Sequence, residues 1–204
     1  MRILRGVLVL LATLVSLPAP ASFHTFQLNE FYSNADGSIQ FIELREAFGA
    51  NSQNFLMSHS VTSTQGGTTH TYVFPGNLPN AATANKSVLI ATPGFAALGI
   101  VTPDYLMPAG FLFVNGGTVD YAGVDSVTYA ALPAGGVFSL DRNGTTGVNS
   151  PRNFADAMGT IPAPPPPPPP PVSAIPVPLF DTPAIALLTV LLGLSGAWLF
   201  RRRG

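Results

Sequence analysis

HTFQLNEFYSNADGSIQFIELREA, residues 24–47, is the stretch that decides the fold. It holds two runs rich in aromatic and β-branched residues, His24–Tyr32 and Ile39–Ala47, on either side of Ser33-Asn34-Ala35-Asp36-Gly37. Asp36-Gly37 is a strong turn signal, because glycine and a neighbouring aspartate tolerate the backbone angles a tight hairpin requires. In the second run Ile39 and Phe41 fall on one face and Ile42 and Leu44 on the other, with Gln40 and Glu43 interspersed. Two β-strands joined by a turn are predicted here.

Working outward, the same grammar continues. Phe55–Ser63 reads as a strand-like run, turned by Gln65-Gly66-Gly67, and Thr69–Phe74 returns from it. Lys86–Ala91 is apolar enough for a central strand, and Phe95–Ile100 is predicted to hold one turn of helix. Phe111–Val114, Thr118–Tyr121, Asp125–Tyr129 and Val137–Leu140 follow, separated by glycine- and proline-bearing loops. About eight short strands at this spacing, with no long segment of helical period between them, predict an all-β antiparallel sandwich. Prolines and scattered charges are available to protect its edges.

Composition sets limits. Of 204 residues 47% are apolar but only 9% charged, against about 25% charged in typical soluble chains. Between Ser22 and Thr160 four basic residues (Arg45, Lys86, Arg142, Arg152) face nine acidic ones, a net of −5. That leaves no cationic stripe for phosphates and disfavours nucleic-acid binding. There is no cysteine, so the body must be held by burial alone, and thiol nucleophiles and zinc–cysteine sites are excluded.

The two ends carry addresses. Arg2 and Arg5, the apolar run Gly6–Leu17 and the small residues Ala19-Pro20-Ala21 make residues 1–21 a signal peptide, with cleavage expected after Ala21. Residues 161–174 form a proline-rich linker whose eight consecutive prolines, Pro164–Pro171, predict a polyproline II spacer of about 25 Å. From Pro183 to Phe200 there is no charge, and Arg201, Arg202 and Arg203 follow at once. Eighteen helical residues rise about 27 Å, close to the ~30 Å of a bilayer's hydrocarbon core, so 183–200 is predicted to be a transmembrane helix. Three arginines beyond it favour the cytoplasmic side, and Trp198 sits where interfacial rings collect.

Two resemblances follow from these residues. Leu28-Asn29-Glu30-Phe31, Gln40-Phe41-Ile42-Glu43-Leu44, Tyr72-Val73-Phe74-Pro75 and Ser87-Val88-Leu89-Ile90-Ala91 come first in order. Val124–Tyr129, Leu132–Gly136, Ser139–Arg142 and Asn149-Ser150-Pro151-Arg152-Asn153-Phe154 come after them. Together they resemble the lamin tail domain over most of residues 23–157. That resemblance implies an immunoglobulin-like sandwich acting as a binding or structural module without catalytic residues. The tail, residues 175–204, is similar to bacterial exosortase-type sorting signals: Ile175-Pro176-Val177-Pro178-Leu179, an apolar helix, then Arg201, Arg202 and Arg203. It implies an exosortase-like processing enzyme, cleavage near Ile175–Pro178, and delivery to a Gram-negative cell envelope or surface.

Chemistry has few candidates. The histidines are His24, His59 and His70; no serine lies in a G-x-S-x-G elbow, and no nucleophilic triad is legible. His59 and His70 are expected on successive strands, where they could face each other. Glu30 and Glu43 could approach across neighbouring strands, as paired carboxylates do in acid–base sites. Asp141-Arg142-Asn143-Gly144 starts like a calcium loop but lacks the later ligands, and Asn143-Gly144 reads better as a hairpin turn. The expectation is a non-enzymatic envelope protein with no cofactor and no metal, whose partners are the membrane, a processing enzyme and an envelope polysaccharide or protein. The alternative is a small exported hydrolase or calcium-dependent carbohydrate-binding module, motivated by Asp104, Asp120, Asp125 and Asp141.

Overall fold

The computed structural model describes residues 23–163, 168–171 and 182–202. The signal peptide with Ala19 and Ala21, residues 164–167 of the proline run, the motif at 175–179 and Arg203 lie outside those residues. Two units divide the chain, one ending at Pro164 and the other beginning at Pro165.

The first unit is built of β1 (Phe26–Ser33), β2 (Gln40–Glu46), β3 (Ser60–Gln65), β4 (Thr68–Val73), β5 (Ser87–Ala91), the single helical turn α1 (Pro93–Ala96), β6 (Tyr105–Leu106), β7 (Gly117–Tyr121), β8 (Asp125–Tyr129), β9 (Phe138–Asp141) and β10 (Thr146–Val148). They form a six-stranded sheet, β10-β9-β1-β2-β5-β6, and a four-stranded sheet, β4-β3-β7-β8. All neighbours run antiparallel except β5 and β6. Phe26, Leu28, Phe31, Ile42, Leu44, Val88 and Ile90 of the larger sheet meet Val61, Val119, Tyr121, Val127 and Tyr129 of the smaller one in a single buried cluster. This is the β-sandwich that the strand spacing predicts.

β1 and β2 pair along their length, with one irregularity between Leu28 and Glu30. Phe26 and Leu28 point into the sandwich, and strict alternation would send Glu30 after them. The bulge at Asn29 adds one residue, so Phe31 turns inward and Glu30 turns to the outer face, opposite Glu43. A second cluster covers part of that outer face: Tyr32, Phe41, Leu89 and Ala91 pack with Phe95, Val101 and Ile161. Phe95 is placed by α1, where the Thr92 hydroxyl caps the Phe95 amide at 3.3 Å and also accepts from the Gln40 amide at 3.0 Å. The helical turn therefore starts at Pro93, two residues earlier than expected, because Thr92 supplies the cap and Pro93 the first-turn proline.

Phe111–Val114 is not a strand. Several of its backbone groups are taken by side chains: Leu112 exchanges two hydrogen bonds with the Gln40 amide group, at 2.9 and 2.8 Å. The Phe113 carbonyl accepts from the Tyr129 hydroxyl at 2.9 Å. Asn143-Gly144 does lie in the turn between β9 and β10, with Gly144 at φ +81°. The short strands β6 and β10 were not legible in advance.

The second unit is described from α2 (Thr182–Arg201), a 20-residue helix. From Ile185 to Phe200 ten large apolar side chains are each more than half exposed. Two hydroxyls turn back on the helix: Thr189 donates to the Ile185 carbonyl at 2.6 Å and Ser195 to the Leu192 carbonyl at 2.9 Å. The Arg202 guanidinium lies over the Trp198 ring, 3.9 Å from its centroid. Among the described residues no helix is long and apolar enough to cross a membrane.

Candidate functional site

Two buried carboxyl groups, Glu30 and Glu43, lie on the outer face of the six-stranded sheet, a half-buried third, Asp104, stands at its β5 edge, and one stretch of chain bonds to all three. Glu30 comes from β1 and Glu43 from β2, in the same register row, and Asp104 from the turn before β6. Glu30 accepts the Ser150 amide at 2.8 Å, Glu43 the Arg152 amide at 2.9 Å and Asp104 the Phe154 amide at 2.9 Å. The N–H groups of alternate residues 150, 152 and 154 are thus each taken by a carboxylate. Pro151, which has no N–H to satisfy, sits between two of them. We call residues 149–154 the strap. Sheet carboxylates take the place of a neighbouring strand's carbonyls along it.

Further bonds fix each carboxylate. The Ser139 hydroxyl donates to Glu30 Oε1 at 2.5 Å and the Ser150 hydroxyl to Oε2 at 3.1 Å. Asn29, the bulge residue, donates its side-chain amide to Glu43 Oε1 at 3.1 Å, and the Ser87 hydroxyl donates to the same atom at 2.9 Å. Asp104 Oδ2 also accepts the Leu89 amide at 2.8 Å. Side chains anchor both ends of the strap. Asn149 donates to the Val137 and Ile161 carbonyls and accepts the Ile161 amide at 2.6 Å; Asn153 donates to the Thr102 carbonyl at 2.9 Å.

Burial governs the charges. It pushes the Glu43 carboxyl up to about 7; the neighbouring Glu30 adds to that, against the donors Ser87, Arg152 and Asn29. Asp104 is also raised by burial, which outweighs the Leu89 and Phe154 amides. Glu46, buried at the end of β2, goes the other way: burial opposes its charge, but the Asn85, Phe48 and Ala50 amides together hold it below its ordinary range. A cleft of about 180 Å³ opens beside this system, lined by Asn29, Glu30, Ser139, Asp141, Val148 and Ser150.

The paired-carboxylate expectation thus has its geometry: the structure brings Glu30 and Glu43 together. Asn149–Phe154 stands out in the sequence as the closing stretch of the resemblance, but its bonds to the carboxylates do not, since its contribution is backbone N–H, which every sequence carries. The other candidates come apart. His59 aligns with Phe74 and His70 with Ser63, so the two histidines do not face each other. His59 lies against Phe23 with the rings tilted by 31°, and burial followed by the charge of His24 lowers it below the ordinary imidazole range. His70 stacks on Phe113, with Nδ1 at 2.9 Å from the Phe111 carbonyl.

Each aspartate of the suggested calcium set has its own structural task. Asp104 holds the strap. Asp120 accepts the Gly123 amide at 2.8 Å in the β7–β8 turn, and Asp141 accepts the Asn143 and Thr145 amides at 2.8 Å in the β9–β10 turn. Asp125 accepts the Leu28 amide at 2.7 Å and pairs with Arg142 at 3.2 Å, tying the smaller sheet to β1. Among the described residues no group of three or more histidines and carboxylates is placed to hold a metal ion.

Fold and site together define a two-sheet β-sandwich closed by a hydrogen-bonded strap. No family model, no curated protein and no solved structure matches the chain.

Proposed function

We propose that this is an exported cell-envelope or surface protein without catalytic activity: a lamin-tail-like, immunoglobulin-like sandwich used as a binding or structural module. Residues 1–21 direct export, the proline run 161–174 spaces the module, and residues 175–204 act as a sorting segment spanning the membrane at 183–200. An exosortase-like enzyme acts near Ile175–Pro178, and the module's ligand is an envelope polysaccharide or protein.

One observation carries the reading. A helix apolar on all sides requires an apolar surrounding, and from Ile185 onward α2 exposes its large side chains all round while Thr189 and Ser195 turn their hydroxyls onto its own carbonyls. The three arginines that follow in the sequence fit a stop at the cytoplasmic face. For the sandwich, the paired carboxylates have every oxygen engaged by fold-holding donors, which suits a structural role better than acid–base turnover.

Intact mass of the protein recovered from membrane and secreted fractions tests this. Loss of residues 1–21, with the C-terminal segment either anchored in membrane or removed near 175–178, is the expected result. A full-length chain found soluble in the cytosol with residues 1–21 attached would overturn it.

A further inference from the structure

β4 is an edge strand of the smaller sheet, and one side of its backbone is unspent. Its ladder with β3 runs from Ser60 opposite Val73 to Gln65 opposite Thr68 without a register shift. Just past the strand the Phe74 amide donates to the His59 carbonyl at 2.9 Å, which sets the phase of that ladder. Hydrogen-bonded positions alternate in an antiparallel pair. Thr68, His70 and Tyr72 therefore bond to β3, while Thr69, Thr71 and Val73 aim their N–H and C=O groups away from the sheet. Among the described residues none of those outward groups has a hydrogen-bond partner.

Exposed sheet edges are ordinarily blunted by charge, proline, a bulge or sheer shortness. The other edges of this sandwich follow that rule. β6 and β10 are two and three residues long, and β8 begins at Asp125, which is paired with Arg142 and holds the Leu28 amide. β4 has none of these guards: it is six residues, Thr68–Val73, with no Lys, Arg, Asp, Glu or proline and no bulge. Thr69, Thr71 and Val73 are exposed, and a cleft of about 300 Å³ between His70-Thr71 and Pro108–Phe111 opens beside the strand.

We propose that β4 pairs with β4 of a second copy of this chain, antiparallel about a two-fold axis at Thr71, so that two sandwiches share one eight-stranded sheet. The outward residues are centred on Thr71. A two-fold there sets Thr71 opposite its own counterpart and Thr69 opposite Val73, and every outward N–H meets an outward C=O. A strand of another protein would have to bring an unguarded edge of its own, whereas a second copy always brings one of equal length and phase. The side chains fit the same occupant. The outer face of this sheet already joins its strands through threonine pairs, Thr64 with Thr69 at 2.9 Å and Thr118 with Thr128 at 2.8 Å. Thr71 against Thr71 repeats that pairing across the axis, and no like charges meet along the strand.

Sedimentation of the full chain in detergent micelles, with the variants Thr71→Lys and Thr71→Glu, tests this. Thr71 is exposed and its outward groups hold nothing within the fold, so both variants should melt as wild type does. Wild type should sediment as a dimer in exchange with monomer. Each variant alone sets like charges opposite each other and should dimerise about fivefold more weakly. An equimolar mixture of the two should regain the dimer, because residue 71 meets residue 71 only across this axis. A monomeric wild type, which would leave the edge to a strand of another protein, overturns the proposal. So do variants that dimerise as wild type does, which would place the contact on α2 or elsewhere, and a mixture no tighter than its components. Should a variant not fold, amide hydrogen exchange of wild type decides. Protection at Thr69, Thr71 and Val73 should rise with protein concentration, while His70 and Tyr72, already bonded to β3, hold theirs. Exchange at those three residues that ignores concentration refutes the pairing.

Discussion

The two faces of the six-stranded sheet are built on opposite principles. The inner face is mainly apolar and meets a second sheet, so Phe26, Leu28, Phe31, Ile42 and Leu44 are wholly buried among like side chains, with Gln40 and Ser33 hydrogen-bonded at its end. The outer face has no second sheet. One part is closed by Phe95, Val101 and Ile161 over Tyr32 and Phe41, and the other by the strap over Glu30 and Glu43. Apolar packing holds the first face, whereas the second is held by apolar packing over one part and by hydrogen bonds over the other. A sheet with one packed partner can still be buried on both sides, provided its polar groups on the exposed side are satisfied one by one.

Substitutions can break or sharpen this contrast. The largest effect is expected where the outer face behaves as a core: Phe41→Ala should cost about 3–5 kcal/mol and Ile42→Ala on the inner face about 2–5, read as urea midpoints of the β-sheet circular dichroism. A loss below about 1 kcal/mol at Phe41 would show that the outer cluster is only surface cover. Next, Glu30→Ala strands three donors, the Ser139 hydroxyl and both Ser150 groups, at about 1–3 kcal/mol. Glu30→Gln, which keeps one acceptor, should fall between Glu30→Ala and wild type in the same assay.

Asp104 offers a subtler contrast through pH. Because burial raises it, its contribution to stability declines as pH rises out of the ordinary aspartate range. Asp104→Asn should flatten that part of the stability–pH curve, and a curve unchanged by the substitution would deny Asp104 this share. The smallest effect is expected at the exposed pair Lys86–Asp156: Lys86→Ala should cost under about 1 kcal/mol and even less in high salt. Parallel melts with and without 1 M salt would show it.

Much of the sandwich was legible because its signals are local. The Asp36-Gly37 turn, the run Ile39–Ala47 and the strands Ser87–Ala91 and Asp125–Tyr129 announce themselves by side-chain type and spacing. A finer clue was present and unread: the apolar positions 26, 28 and 31 break the period of two, which is the signature of the bulge that re-aims Glu30. Phe111–Val114 misled because its composition suits a strand, while its backbone partners, Gln40 and Tyr129, lie far away in sequence. The strap's partners were invisible for the same reason, although its residues 149–154 stood out as a stretch. Its bonds join Ser150 and Arg152 to residues 120 and 109 positions earlier, and no window of sequence contains both ends.

That separation has a consequence in time. A polypeptide emerging from its N-terminus presents the two glutamates early and must wait more than a hundred residues for the amides that cap them. Contacts so distant close late and slowly. The hairpin and the core strands can assemble first, leaving an unfinished sheet whose acidic rim stays wet until the final stretch of the domain arrives. The order of synthesis thus makes the last piece of the domain its fastener.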